Sequence, residues 1–263
     1  MKAILLTSTF RRHQFVANYL SSRCDLLGVW QEVKTFVPER YAATAEDEDV
    51  IRRHFDARDA AEEQCFAADA RLSLDAGALH RRVEPGGCSD SDEVGRMERL
   101  RPEVVLVFGT GILKGAVIDA FAGRMINIHL GLSPYYRGAG TNFWPLVNGE
   151  PEYVGATIHY LDAGIDTGPI IAHTRPRIGR DDGPHDIGNR AIAQAAETLL
   201  HAAAAHVAGG VRAVPQTGGG RLYQRKDFSA EAVRRLYRNF EEGMIGRYLA
   251  EREQRDARLS LVA

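Results

Sequence analysis

Apolar residues recur along the chain with two different periods. Lys2 to Thr7 is an apolar run of strand length, Arg12 to Leu20 follows with helical spacing, and Leu26 to Trp30 predicts a second strand. That alternation predicts a parallel sheet covered by helices. Glu103 to Phe108 contains VVLVF, the most completely apolar of the predicted strands. Met125 to Leu130 alternates instead, so as a strand it sets Asn127 and His129 on one face and Ile126, Ile128 and Leu130 on the other. Val154 to Tyr160 predicts another strand, and Pro169 to His173 an extended run.

Helical spacing marks the remaining stretches. Asp47 to Ala67 predicts one amphipathic helix through Val50, Phe55, Ala61 and Phe66, within a segment, 36–70, that is acidic and basic by turns. The segment reads as an insertion on the first domain, either lining the site or forming a solvated cover. Residues 85–92, PGGCSDSD, are a loop in which Ser91 or Asp92 caps a short helix ending near Leu100. Asn142 to Val147 predicts a short helix with Trp144 as core. Gly183-Pro184 opens a long helix to about Val207, with Ile187, Ala191, Ala195 and Leu199 in one stripe. The basic cluster Arg221 to Lys226 reads as a solvated edge strand in preference to a phosphate contact. Ser229 then caps a helix whose apolar spacing, from Val233 through Leu236 and Phe240 to Tyr248, runs to the end, packing on its own chain or building a homodimer.

Composition narrows the function classes. With 263 residues, 44% hydrophobic and 26% charged, the chain is long enough for a sizeable core in one or two domains. A net charge of -2 gives no bulk electrostatic case for nucleic acid or an anionic membrane. No apolar run is long enough to span a bilayer, and the opening MKAILLTSTFRRHQF lacks the layout of a signal peptide. Cys24, Cys65 and Cys88 lack close spacing, so ordinary thiols in a reducing cytoplasm are expected, with neither disulfides nor a zinc site. His185, His201 and His206 share no metal-ligand pattern and read as surface residues. The first βα turn, TSTFRRH, lacks the glycine fingerprint of an NAD site, and Gly109, Gly111 and Gly115 have the wrong spacing for it.

The densest chemistry lies between Met125 and Ile171. An amide and an imidazole, Asn127 and His129, stand at the carboxyl end of a strand that delivers them into a glycine-rich loop, LGLSPYYRGAG. The turn LDAGIDTGPII carries Asp162 and Asp166, and a carboxylate there could reach the pair if the two strands are neighbours. Taken singly, Asn-x-His on a strand is more often an ordinary polar pair, and Asp166 reads equally as a turn-maker bonding its own backbone.

In combination, N-x-H, then L-x-P-x-x-R-G, then G-x-T-x-H-x-x-D-x-G-I-D-T-G-P-I resembles the catalytic core of the folate-dependent formyltransferases, the family of glycinamide ribonucleotide, methionyl-tRNA and nucleotide-amino-sugar formyltransferases. The resemblance is close over about residues 100 to 175. It implies a Rossmann-like α/β fold with helices on both faces of a mostly parallel sheet, a catalytic domain over 1–208 and a short extension over 209–263. It also implies transfer of a formyl group from 10-formyltetrahydrofolate, a co-substrate, to a primary amine, without a metal. The family's catalytic residues fall on Asn127, His129 and Asp166. An amine attacking a formyl carbon builds negative charge on the formyl oxygen, which Asn127 and His129 would meet as preset donors, while Asp166 would favour the charged imidazole and help relay the proton.

The resemblance further sets Gly111, Ile112 and Leu113 along the folate slot, Asp162, Ala163 and Gly164 on its opposite lip, and Gly131, Tyr135 and Arg137 toward the substrate. Thr157 and His159 read as structural support. The opening turn lacks the glycines with which purine-pathway relatives hold a ribonucleotide phosphate, and the tail is too short for the barrel that methionyl-tRNA formyltransferases carry. The expected acceptor is therefore a small amine, first among them a nucleotide-linked amino sugar. Hydrolysis of the formyl donor, and transfer to an amino acid, a peptide-like precursor or methionyl-tRNA, are the alternatives.

Overall fold

The structure, a computed structural model, describes residues 1–34, 37–164 and 166–263, without the side chains of 38 and 39. The expected insertion at its residue 36, and the GIDTG turn at its residue 165, reach outside the described residues.

The chain runs β1 (Lys2–Ser8), α1 (Arg11–Ser21), β2 (Asp25–Glu32), α2 (Ala45–Cys65), β3 (Leu79–Val83), α3 (Ser91–Arg99), β4 (Val104–Phe108), α4 (Ala116–Ala120) and β5 (Met125–His129). There follow β6 (Tyr136–Gly138), α5 (Phe143–Val147), β7 (Ala156–Tyr160), β8 (Ile170–Thr174), α6 (Pro184–Val207), β9 (Arg221–Tyr223), α7 (Ala230–Glu241), α8 (Met244–Ala250) and α9 (Arg252–Asp256). Seven strands form one sheet in the order β3-β2-β1-β4-β5-β7-β8. It is parallel from β3 to β5, and β7 and β8 close it in antiparallel fashion. The strand order reverses between β1 and β4, which opens a crevice outside their carboxyl ends.

Alternation along the strands feeds two helical layers. On one face Leu5, Leu106, Ile126 and Ile158 pack against α1 and α6 through Val16, Leu20, Ala195 and Leu199. On the other, Ile4, Val105, Val107 and Met125 meet α3 and α4 through Val94, Met97 and Val117. A third cluster, with Trp144, Leu146, Ile187, Leu236 and Tyr248, ties α5 and α6 to the C-terminal helices, so the apolar stripe of the tail is spent within its own chain. Among the described residues no helix is long and apolar enough to cross a membrane.

Several elements differ from expectation. The strand β3 was not anticipated because it is an edge strand with half-buried and exposed positions only. The N-cap of α3 is Asp90, not Ser91 or Asp92. The final helix breaks at Gly243, whose φ of 79° is left-handed, a conformation that costs glycine little. The buried stripe of α2 is Ile51, His54 and Glu62. Val50 and Phe55 are only half-buried, because α2 leans on α6 and α7 rather than on the sheet, and the surface it meets there is a cavity with polar groups.

Candidate active site

Register brings the chemistry together. In the antiparallel pair β5–β7, Asn127 sits opposite His159, and His129 opposite Thr157. The turn after β7 then carries Asp166 back toward both. It does so with a φ of 51°, a left-handed conformation that Asp tolerates better than most residues and that clusters at functional sites. Gly168 makes this return possible, since a Cβ there would lie 1.8 Å from the Tyr160 carbonyl oxygen.

The hydrogen bonds fix which atom does what. His159 Nδ1 lies 2.8 Å from the Tyr160 carbonyl oxygen, which accepts its proton. His159 Nε2 is thereby left to accept from Asn127 Nδ2 at 3.0 Å, orienting the amide and leaving its second N–H for the crevice. His129 faces oxygen at both ring nitrogens, with Asp166 Oδ2 3.3 Å from Nδ1 and the Tyr136 carbonyl oxygen 3.2 Å from Nε2. A neutral imidazole donates to one of these, an imidazolium to both.

Burial decides the resting state of His129. With the ring 6% exposed, desolvation holds its pKa below the usual histidine range, while the Asp166 charge pulls it upward and loses. The expected favouring of the charged imidazole is therefore present as an attraction but outweighed. Burial pushes the Asp166 carboxyl up, yet the rings beside it, His129 at 3.3 Å and His159 at 3.7 Å, outweigh this and hold it below its usual value. The resting pair is a carboxylate beside a neutral imidazole that has room for one more proton.

The trio opens into a crevice of about 540 Å³. Gly111, Ile112 and Leu113 line one side of it, and Asp162 and Gly164 the other, with Asp162 Oδ1 accepting from Gly164 N at 2.9 Å. Ala163 is exposed on the turn between them and outside the lining. Glu32 anchors the loop by accepting from Gly111 N at 2.5 Å and Gly86 N at 3.2 Å. The structure does not bring Gly131, Tyr135 and Arg137 into the lining. Gly131 packs beneath His129, where a Cβ would come within 2.9 Å of Nε2. Tyr135 turns away to accept from Ser260 N at 2.7 Å, and Arg137 leaves its Nε buried without a partner.

Phe10, His13 and Lys34 also line the crevice, and no local pattern flagged them. Their position just past β1 and β2, with His13 in the first turn of α1, beside the reversal of strand order, is the signal that would have found them. A second cavity of about 360 Å³ adjoins the crevice, sharing Arg12, Leu130, Gly140, Asn142, Phe143 and Arg225 with it. His185 lines this cavity instead of the open surface expected of it, and α2 contributes His54, Phe55 and Arg58. The basic cluster divides. Arg221 is locked to Glu150 at 2.6 Å, whereas Arg225 reaches both cavities.

The sequence profile of the formyl transferase family matches residues 48–203. The methionyl-tRNA formyltransferase of Geobacter sulfurreducens is 37% identical over 118 residues, 44% of this chain and 37% of that protein. The chain thus spans well under half the length of the curated relatives it matches. A 4-N formyltransferase from Francisella tularensis superposes with a TM-score of 0.56 at 16% identity, over 86% of this chain and 78% of that one. A sugar 3N-formyl transferase solved in the presence of dTDP and 5-N-formyl-THF gives 0.54 at 18% identity, over 87% and 71%. At these identities the structural likeness is one of fold.

Proposed function

The chain belongs to the formyl transferase family, and from that premise we propose that it moves a formyl group from 10-formyltetrahydrofolate to the primary amine of a small molecule, a nucleotide-linked amino sugar. The observation that carries the reading is the convergence of Asn127, His129 and Asp166 on one crevice. Backbone edges on two facing loops, and His13 Nδ1 buried in a crevice-lining residue without a partner, suit a flat heteroaromatic with polar edges.

Bound folate supplies the activated formyl carbon, and the chain's own residues govern charge and protons. Asn127, oriented by His159, offers an N–H to the formyl oxygen as negative charge grows there. His129 is neutral at rest and can take the proton that the attacking amine must lose. Both its nitrogens then have acceptors, Asp166 and the Tyr136 carbonyl, which stabilise the cation until the proton is passed to the departing nitrogen. No covalent enzyme nucleophile is required.

The adjoining cavity supports an extended acceptor. Its shared boundary carries Arg225, suited to an anionic linker between the amine and a body lodged beyond, beside an Arg12 that is ion-paired with Glu62. Methionyl-tRNA is the second acceptor reading, favoured by the identity to enzymes of that name. The test is incubation with 10-formyltetrahydrofolate and a panel of amino sugar nucleotides, amino acids and methionyl-tRNA, following free folate and formylated product together. Product with an amino sugar nucleotide is expected. Formate release without any amine would replace transfer by hydrolysis, and product with methionyl-tRNA alone would replace the acceptor.

A further inference from the structure

His54 of α2 and His185 of α6 face each other in the wall of the second cavity, ring centroids 4.8 Å apart. Tyr237 of α7 stands behind them, its hydroxyl 3.1 Å from His54 Nδ1 and 3.3 Å from His185 Nε2. A hydroxyl has one proton, so it donates to one ring and accepts from the other. Each neutral imidazole also has one proton. Whichever way this relay is polarised, one of the two outer nitrogens, His54 Nε2 or His185 Nδ1, is a donor and the other an acceptor.

The surroundings keep the relay uncharged. Burial drives His54 down to about 3 and His185 to about 4, with Arg58 depressing both further. Asn189, one helical turn beyond His185, is 4% exposed and its Nδ2 has no partner. Asn142 Nδ2 is likewise unpartnered, while its Oδ1 accepts from Gly155 N at 3.0 Å. Phe143 and Phe55 pack on Phe228, centroids 5.2 and 5.5 Å apart, and close the sides with aromatic surface.

We propose that the His54–Tyr237–His185 relay determines acceptor specificity by binding an uncharged planar ring whose edge carries a hydrogen-bond donor beside an acceptor, as in a lactam or imide. A charged group would give up its hydration against an uncharged relay, in a cavity where the charges of Arg12, Arg58 and Glu62 already pair with one another. A plain arene would fill the aromatic box and leave the relay and Asn189 unsatisfied. A ring with both functions satisfies both outer nitrogens and stacks on the phenylalanines. The polar group in the buried stripe of α2 is thereby explained, since His54 supplies one end of the relay. The proposal rests on the formyl-transfer reading only for where the amine lies, beyond the shared wall of Leu130, Gly140 and Phe143.

The test uses the full chain without folate or amine. 2-Pyridone, one ring with an N–H beside a C=O, is titrated while the histidine Cε1–H resonances are followed by NMR. Controls are 1-methyl-2-pyridone, which lacks the donor, and toluene, which lacks both functions. Saturable shifts at His54 and His185 are expected with 2-pyridone, with at least tenfold weaker binding of both controls and at least tenfold weaker binding of 2-pyridone to Tyr237→Phe, which keeps the ring and removes the relay proton. Toluene binding as well as 2-pyridone, or undiminished binding to a Tyr237→Phe protein with native near-UV dichroism, overturns the proposal. Should Tyr237→Phe not fold, the three ligands on the unsubstituted chain decide the matter. Failure here leaves formyl transfer standing, and failure of the amine panel with 2-pyridone still bound removes only formyl transfer.

Discussion

Asn127 and His129 differ in how their readiness is built. The amide is oriented from outside by His159, whereas the imidazole is kept neutral by burial and flanked by two oxygens that both want a donor. Asn127→Ala should lower kcat by about 10² to 10³, as loss of one preset donor does, and His129→Ala by about 10² to 10⁴, as loss of a general base does, with KM for the acceptor little changed. His159→Phe should follow them in kcat to a lesser degree, because it frees the Asn127 amide to rotate without removing it. Steady-state rates on purified, folded variants check all three, and near-full activity of Asn127→Ala would remove it from the mechanism.

At the scale of elements, the site depends on β7 and β8 lying where antiparallel pairing puts them, and on the turn between them returning Asp166 to β5. Gly168 is the tightest point of that return. Gly168→Ala forces a methyl group onto the Tyr160 carbonyl, so the backbone must move. The expected outcome is destabilisation of about 2 kcal/mol or more, with activity lost even in molecules that fold, since Asp166 shifts with the turn. Denaturant unfolding together with kcat would show it. Native stability with full activity would mean that the approach of the two backbones is looser than described.

Imidazole burial acts on the stability of the whole molecule. His13, His54, His129 and His185 are all held below the usual histidine pKa, burial being the largest cause in each. A histidine whose folded pKa lies below its unfolded value near 6.5 takes up a proton on unfolding. Its stabilising contribution is complete above about pH 6.5 and is lost as the pH falls toward the folded value, by up to about 1.4 kcal/mol per pH unit for each ring. Urea midpoints should therefore fall between pH 7 and about pH 5, above the range in which the depressed carboxylates such as Asp166 begin to lose their own contribution. A flat profile over that window would show the rings to be better solvated than their burial implies.

Much of this was written in local pattern. An apolar run of strand length at Lys2 to Thr7, period two in the MINIHL run, and helical period in the stretch from Gly183 to Val207 give the elements because such patterns and capping are decided by neighbours in sequence. The spacing of Asn127, His129 and Asp166 likewise announced the trio, since two of its members share one strand and the third sits on the turn after that strand's neighbour. The chain alone thus gave six of the seven strands of the main sheet, most of the helices, and the three polar side chains that the fold gathers at one crevice. Tertiary packing alone decided that α2 meets α6 and α7 and not the sheet, that burial outweighs Asp166 at His129, and that residues 54, 185 and 237 meet. Those outcomes depend on desolvation and on contacts between elements far apart in the chain, and neither leaves a period to read.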